Sequence, residues 1–370
     1  MNTMKSLFQG ALVCFAAMSV ALASTSAQQP TAESSEIPTF DFVFVISVDG
    51  LRSDAIPAGG PRRLPTLHRL LSGSSTLNAR TDPDYTLTLP NHTSMITGRP
   101  TAGPHGHGWK DNADPPEGET LHTRAGFEIV SIFDIAHLHG VSTGLFFSKS
   151  KFSLWISSFN TGREPADMAI SRAAFAESMS EVTDHAIETL GLWERGLVFL
   201  HYARTDLVGH QHGWDLTPGS PYMLAVGEID AEIGRLIAAI ESRDGLKGRC
   251  AIIVTTDHGG GYPLTSHVAP HMWVNYIIPF LVWTGDEAPS ADLYELNSRV
   301  RRDPSLTRPP CAEPGDPEAD RTQPIRNGDA ANLALQLLGL PPVPGSIINA
   351  NRTLRVSLPQ RVEESSSKDR

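Results

Sequence analysis

Apolar runs alternate with polar and glycine-rich stretches along the chain, and this pattern predicts alternating strands and helices. Five runs of seven or eight residues are almost continuously apolar, which is typical of strands buried on both faces of a mainly parallel sheet; they span residues 41–48, 141–147, 196–202, 250–256 and 276–283. Apolar side chains at every third or fourth position predict a core-facing helix over 223–242. Further helices are predicted at 169–191 and 329–338. The predicted fold class is α/β, with a single domain over residues 38–355.

The first residues have the features of a secretory signal peptide. Lys5 precedes the apolar run 11–23, which ends in small residues. We expect a signal peptide over residues 1–23 with cleavage after Ala23, and Ala27 is the alternative site. The run is too short to cross a membrane as a helix, and no later apolar run reaches about 18 residues. The mature chain is therefore expected to be exported, periplasmic or extracellular, and to lack a membrane span.

Charge and cysteine content bear on nucleic-acid binding, on disorder at the end of the chain and on disulfide bonding. The formal net charge is −11 and no basic tract offsets it, so binding to a nucleic-acid duplex is not expected. Residues 356–370 are rich in charge and serine and are expected to form a disordered tail. Beyond the signal peptide the chain has Cys250 and Cys311. In an oxidising compartment they either pair or remain two buried thiols, and the sequence favours neither outcome.

Two distant segments each offer a carboxylate and an imidazole at a spacing that suits metal binding. Asp206 and His210 are four residues apart, so a helix places them on one face. Asp257 and His258 directly follow an apolar run, and Asp49 closes the first one. Ligand sites in open α/β sheets gather at the carboxyl ends of strands, which is where these residues are predicted to lie. Taken singly, each pair is also compatible with an ordinary solvated pair.

Thr88 is predicted to lie at the start of a helix. Pro90 suits the first helical turn, and Gly98 suits the end of the helix. Free backbone N–H groups and the helix dipole at this end stabilise an alkoxide and a phosphoryl oxygen. Two divalent ions about 4 Å apart would hold the attacking and leaving oxygens of an in-line displacement, so Thr88 would need no separate base. A capping or loop hydroxyl is the alternative.

In order along the chain, these segments resemble a known family. Asp49 after a strand, the motif Thr88-Leu-Pro-Asn-His, the motif Asp206-x-x-x-His and the motif Thr256-Asp-His-Gly-Gly together resemble the nucleotide pyrophosphatase/phosphodiesterase branch of the alkaline phosphatase superfamily. The resemblance spans residues 40–350. It implies a three-layer α/β sandwich and two zinc ions, with Thr88 as a covalent nucleophile. It also implies a small phosphoester substrate, such as a nucleotide.

The resemblance also implies which residues bind each metal ion. One ion would be held by Asp49, Asp257, His258 and the Thr88 oxygen, and the other by Asp206, His210 and a further histidine. After His258 only His267 and His271 remain, and His267 fits better because it follows Thr265-Ser266. Asn112 follows His107-Gly108 at the family's spacing and is expected to bind phosphate; a turn residue is the alternative.

Substrate class is where the family motif and the local sequence disagree. The motif at Thr88 favours phosphodiesters, whereas Lys149 and Lys151 follow a predicted strand and would favour the extra negative charge of a monoester. Solvent-facing lysines are an equally good interpretation. The motif at Thr88 involves more residues than the lysine pair does. We therefore predict that diester turnover is at least tenfold above monoester turnover. One alternative is a phosphomonoesterase or phosphoryl transferase on the same fold. Another is a noncatalytic metal-dependent binding protein. The second is disfavoured because a binding protein has no need of a nucleophile beside six ligands.

Overall fold

The computed structural model of the protein describes residues 39–160, 168–312 and 323–359. The predicted signal peptide and most of the predicted tail lie outside these ranges. No helix within them is long and apolar enough to cross a membrane. Of the cysteines in these ranges, Cys250 is buried and Cys311 is partly buried, and each is a free thiol.

The described residues form one sheet with the strand order β4-β3-β5-β1-β6-β7-β2-β8. Neighbours from β4 to β6 run parallel, whereas β7 is antiparallel to both β6 and β2. The carboxyl ends of β3, β5, β1 and β6 therefore lie side by side at one edge. The strands are β1 Phe42–Val48, β2 Ser74–Arg80, β3 Ser142–Phe147, β4 Arg172–Phe175, β5 Gly196–Tyr202, β6 Cys250–Thr255, β7 Ile277–Trp283 and β8 Ala291–Asp292.

Helices connect these strands, and the longest is α9, which follows the predicted apolar stripe closely. It runs over Pro221–Glu241 and begins with the Ser220 hydroxyl accepting a hydrogen bond from the Met223 N–H. The helices are α1 Ala55–Arg63, α2 Pro65–Leu71, α3 Thr88–Thr97, α4 Leu121–Ala125, α5 Ile132–Leu138, α6 Ser153–Phe159, α7 Met179–Leu192, α8 Arg204–His212, α9 Pro221–Glu241, α10 Trp273–Tyr276, α11 Leu293–Leu296 and α12 Asp329–Leu337.

The central strands are apolar throughout because both faces of the sheet are covered. Along β1, Val43 and Val45 pack in one core with residues of α3, α5 and α12. Phe44 and Ile46, which point to the opposite face, pack in a second core with residues of α2, α7 and α9. Two cores on one sheet make three layers, so the predicted α/β sandwich is confirmed.

Two parts of the predicted element pattern are wrong. Residues 169–191 do not form one helix: Arg172–Phe175 pairs with β3 as strand β4, and α7 begins only at Met179. The apolar pattern did not predict strand β2, because its sequence, Ser-Ser-Thr-Leu-Asn-Ala-Arg, is mostly polar. Its residues are nevertheless largely buried between β7 and β8. Pairing with a neighbouring strand outweighed local apolar content in both segments.

Candidate active site

The aligned carboxyl ends of four parallel strands bring the predicted ligands together. Asp49 follows β1 and Asp257 follows β6, and these strands are direct neighbours. Helix α8, which contains Asp206, begins just after β5 on the other side of β1. Lys149 follows β3, the next strand along. Residues far apart in the chain therefore share one edge of the sheet, as is usual for sites in parallel sheets.

One group of potential metal ligands consists of Asp49, Asp257 and His258, and we call it the strand-end cluster. All three residues are fully buried. The His258 Nε2 atom lies 3.1 Å from Asp257 Oδ2 and 3.6 Å from Asp49 Oδ1. One imidazole and two carboxylates converging at these distances can hold a divalent cation.

A second group consists of Asp206, His210 and His267, and we call it the helix-loop cluster. Asp206 and His210 lie one turn apart on α8, with His210 Nε2 3.4 Å from Asp206 Oδ1. The His267 Nε2 atom is 3.8 Å from the same oxygen. The His210 side chain is 43% exposed, so this cluster opens to solvent. His271 is exposed and belongs to neither cluster.

Backbone carbonyls orient the three imidazoles in the same way. Each Nδ1 atom lies within hydrogen-bond distance of a carbonyl oxygen, which fixes a proton on Nδ1 and leaves Nε2 to face the carboxylates. The contacts are His258 with Gly259 at 2.8 Å, His210 with Thr265 at 2.9 Å and His267 with Thr86 at 2.6 Å. This arrangement is the usual one for metal-binding histidines.

Each of the three carboxylates has one oxygen held by the protein. Asp257 Oδ1 accepts from the Gly50 N–H at 3.2 Å and from the Thr256 hydroxyl at 3.1 Å. Lys149 Nζ lies 2.6 Å from Asp49 Oδ2 and 2.7 Å from Asp206 Oδ2. These donors leave only one oxygen of each carboxylate for a metal ion.

The other oxygens are buried and lack hydrogen-bond partners among the described residues. They are Asp49 Oδ1, Asp206 Oδ1 and Asp257 Oδ2, and His258 Nε2 shares this condition. An unpaired buried polar atom is costly, so the unpaired atoms of each cluster need a partner within that cluster. Divalent metal ions fit this donor set of carboxylate oxygens and imidazole nitrogens.

The imidazoles of His258 and His267 stack with their ring centroids 3.5 Å apart, yet their pKa values differ widely. Burial alone would lower the pKa of His258, but the surrounding carboxylates outweigh burial and raise the pKa to about 9. Burial, followed by the neighbouring His258, lowers the pKa of His267 to about 4. Without metal at neutral pH, His258 is therefore protonated and forms an ion pair with Asp257 Oδ2, 3.1 Å from its Nε2 atom, whereas His267 is neutral.

Thr88 is the first residue of α3 and is buried beside both clusters. Its hydroxyl oxygen lies 3.5 Å from Lys149 Nζ, the cation that bridges Asp49 and Asp206. The predicted helix start is confirmed, and α3 ends at Gly98, which has the left-handed conformation. The structure thus brings a hydroxyl at a helix N-terminus next to the predicted ligands.

Asn112 and Lys151 also lie beside the N-terminus of α3. Leu89 directly follows Thr88, and its backbone N–H donates a hydrogen bond to Asn112 Oδ1 at 2.9 Å. Lys151 Nζ donates to the Asn112 carbonyl oxygen and lies 3.3 Å from Asn112 Oδ1. Burial, reinforced by the charge of Lys149, lowers the pKa of Lys151. Lys151 therefore faces the helix N-terminus, whereas Lys149 is engaged by the ligand carboxylates.

His201 is a site residue that the sequence analysis missed. It lies in β5, is fully buried, and its Nε2 atom is 2.9 Å from Asp49 Oδ2. The available signal was an imidazole in an otherwise apolar strand, Gly-Leu-Val-Phe-Leu-His-Tyr. His92 lies close by, between the Ser47 hydroxyl at 2.7 Å and the Thr88 carbonyl at 2.8 Å.

Sequence comparison agrees with this geometry. Residues 43–262 match the sequence model of the family described as type I phosphodiesterase/nucleotide pyrophosphatase. The chain belongs to this family. The matched region contains Thr88 and most of the two clusters, and it ends before His267. Membership in the type I phosphodiesterase/nucleotide pyrophosphatase family confirms the resemblance drawn from the motifs.

Partial similarity extends to a second class of enzyme. The chain is 35% identical over 95 residues to the 2,3-bisphosphoglycerate-independent phosphoglycerate mutase of Gloeobacter violaceus, an alignment covering 24% of this chain and 16% of the mutase. With the same enzyme of Synechococcus elongatus the identity is 30% over 173 residues, covering 44% of this chain and 25% of the mutase. The chain therefore spans a quarter or less of the length of these two relatives.

Solved structures share the fold. A protein of the alkaline phosphatase superfamily from Vibrio parahaemolyticus aligns with a TM-score of 0.55 at 13% identity, covering 85% of this chain and 70% of that one. A 2-O GAG sulfatase aligns with a TM-score of 0.54 at 13% identity, covering 86% and 74%. At this identity the likeness shows the fold alone, and that fold is the alkaline phosphatase-like sandwich.

Proposed function

We propose that this protein is an exported hydrolase of small phosphoric esters that uses two divalent metal ions, zinc being the best match to the ligands. One observation carries the proposal: the Thr88 hydroxyl lies at a helix N-terminus beside two clusters whose unpaired carboxylate oxygens and Nε2 atoms converge. Asp49, Asp257 and His258 would hold one ion. Asp206, His210 and His267 would hold the other. When bound, such ions neutralise phosphoryl charge and lower the pKa of oxygens that they contact.

In the proposed mechanism Thr88 Oγ loses its proton to solvent and attacks phosphorus, the bond between phosphorus and the leaving oxygen breaks, and that oxygen takes up a proton from water. The intermediate is a phosphothreonine that, for a diester substrate, still carries the remaining organic group, and water then hydrolyses it to restore the hydroxyl and release a monoester. The N-terminus of α3 stabilises the negative charge near Thr88. Asn112 uses its amide oxygen to hold the Leu89 N–H, so its amide nitrogen is the donor that would face a phosphoryl oxygen.

A cavity of about 670 Å³ beside these residues is the proposed place for the substrate outside its phosphoryl group. Asn112, Lys149 and Lys151 line one part of it, and Phe175 and Leu207 line another. The exposed fractions of Phe175 and Leu207 are 50% and 47%, so their apolar surfaces are available for contact. The volume suits a molecule of nucleotide size, which supports a small phosphodiester or pyrophosphate as substrate.

Lys151 favours a second candidate, hydrolysis of a phosphomonoester. A monoester carries one more negative charge than a diester, and a half-buried ammonium group beside Asn112 would stabilise that charge. Lys149 contributes less to this alternative because Asp49 and Asp206 already engage it. The family match favours diesters and Lys151 favours monoesters, so the ratio of the two rates distinguishes them.

Four measurements test the proposed function: metal content, loss and recovery of activity, covalent labelling of Thr88, and cellular localisation. Metal analysis of the purified protein should find two equivalents, and a chelator should remove activity that added zinc restores. Quenching wild type with acid during turnover should trap on Thr88 the substrate's phosphoryl group, with its remaining organic group where the substrate is a diester, detectable by mass spectrometry of the peptide. A protein that binds metal and hydrolyses substrate without a phosphorylated Thr88 would contradict the covalent mechanism. Retention of the protein inside the cytoplasm would contradict export, which rests on residues 1–23.

A further inference from the structure

His201 is held in one orientation by groups that do not bind metal. The Ser148 N–H points to its Nδ1 atom at 3.4 Å, and the Ser148 hydroxyl donates to its carbonyl oxygen at 2.8 Å. The ring packs against Phe152, with 4.5 Å between ring centroids. Since Nδ1 accepts from a backbone N–H, the ring proton lies on Nε2. Nε2 therefore donates to Asp49 Oδ2, 2.9 Å away.

This contact determines which oxygen of Asp49 is available as a ligand. Oδ2 is occupied by His201 and Lys149, while Oδ1 has no hydrogen-bond partner among the described residues and faces His258. Burial by itself would raise the pKa of Asp49, yet Lys149 and His201 hold it below its ordinary value. Without the His201 donor, Oδ2 would be held only by Lys149, whose ammonium group is shared with Asp206, so the carboxylate would be less firmly fixed and could rotate to present Oδ2 instead.

We propose that His201 is a positioning residue for the strand-end cluster, where its Nε2–H fixes the Asp49 carboxylate so that Oδ1 alone serves as a metal ligand. The proposal rests on the proposed function, because it requires that this cluster binds a divalent ion. His201 contacts Asp49 of the strand-end cluster, whereas its link to Asp206 of the helix-loop cluster is indirect, through Lys149. Its larger effect is therefore expected on the ion of the strand-end cluster.

Two amide substitutions separate the hydrogen bond from simple packing. In His201→Gln the side-chain nitrogen reaches the position of Nε2, whereas in His201→Asn the amide is too short to reach Asp49 Oδ2. Loss of a donor to a metal ligand typically weakens metal binding by about 10–100-fold. We expect His201→Asn to release one zinc equivalent at about 10–100-fold lower chelator concentration than wild type. His201→Gln should remain within about threefold of wild type, and in both variants the second equivalent should change less than the first.

His122 provides the matched control. Its Nδ1 atom accepts from the Ile129 N–H at 3.0 Å and its Nε2 atom lies 2.7 Å from the Ser158 carbonyl, but it touches no ligand carboxylate. His122→Asn and His122→Gln should leave both zinc affinities unchanged, even if thermal stability falls. Circular dichroism confirms that each variant is folded before metal is measured.

The outcomes separate this inference from the proposed function. Equal zinc affinities in wild type, His201→Asn and His201→Gln would overturn the positioning role while leaving the two-metal function intact. A wild-type protein that binds no divalent ion would overturn the proposed function itself. If His201→Asn does not fold, a His201→Gln variant that has lost one equivalent would also overturn the role, because its donor is retained.

Discussion

The strand-end cluster and the helix-loop cluster offer similar ligands in different settings. Asp49, Asp257 and His258 leave neighbouring parallel strands and are completely buried. In the helix-loop cluster His210 is 43% exposed and His267 comes from the segment between β6 and α10. A site fixed by two central strands is preorganised by the core, whereas a site fixed by one helix and one loop is open to substrate and water.

Under the proposed function, this difference would suit the two clusters to separate tasks. The enclosed cluster has donors behind Asp49 and Asp257, which suits an ion that stays in place beside Thr88. The open cluster lies next to solvent, which suits the side where a leaving group departs and water enters. Lys149 joins the clusters, because its ammonium group contacts Asp49 and Asp206 at once.

The largest effect is expected at the hydroxyl between the clusters. Thr88→Ala should reduce turnover by at least about 10³-fold, because the nucleophile is lost while the ligands of both clusters remain. Metal analysis should still find two equivalents, and Thr88→Ser should keep measurable activity. A Thr88→Ala enzyme with near wild-type turnover would remove Thr88 from the mechanism and leave the clusters without a nucleophile.

Removing a ligand from the open cluster should affect only that cluster. His267→Ala is expected to lose one of two zinc equivalents and nearly all activity, about 10²-fold or more. His271→Ala is the control, since His271 is exposed and outside both clusters. Loss of zinc from His271→Ala with full zinc in His267→Ala would reverse the assignment of the last ligand.

A smaller effect is expected at Lys151, which touches neither cluster. Wild type should hydrolyse a chromogenic diester at least about tenfold faster than the matching monoester, in keeping with the family of the chain. Lys151→Ala should lower monoester turnover by about 30-fold, or about 2 kcal/mol, and change diester turnover little. A monoester preference in wild type that disappears in Lys151→Ala would make the second candidate the function.

The smallest effect concerns the metal-free protein and the two stacked imidazoles. The pKa of His258 is raised to about 9, so its contribution to stability is complete below its ordinary pKa of 6.5 and is lost as pH rises through about 9. The difference in unfolding free energy between wild type and His258→Gln, measured with chelator, should therefore shrink from pH 6.5 to 9. The same difference for His267→Gln should stay flat, because His267 is already neutral there. Parallel curves for the two variants would contradict the electrostatic contrast between the clusters.

Local patterns in the sequence determined the central strands, α9, the start of α3 and the identity of most candidate ligands. Buried parallel strands are apolar along their length, and a polar residue just beyond one falls at the edge where sites form. The i, i+4 pair on α8 depends only on helix geometry. These features need no knowledge of distant residues.

Tertiary structure alone decided the rest. That β1 lies between β5 and β6 brings His201 to Asp49, and no local pattern encodes that order. The path of the loop after β6 puts His267, and not His271, beside Asp206, because Thr86 anchors its ring. The sequence left Lys149 either substrate-binding or solvent-facing, and only the tertiary structure shows the buried carboxylates of Asp49 and Asp206 on either side of its ammonium group. A side chain's partner is set by which elements the whole chain packs together, and charges buried at such a junction pair with whatever lies opposite.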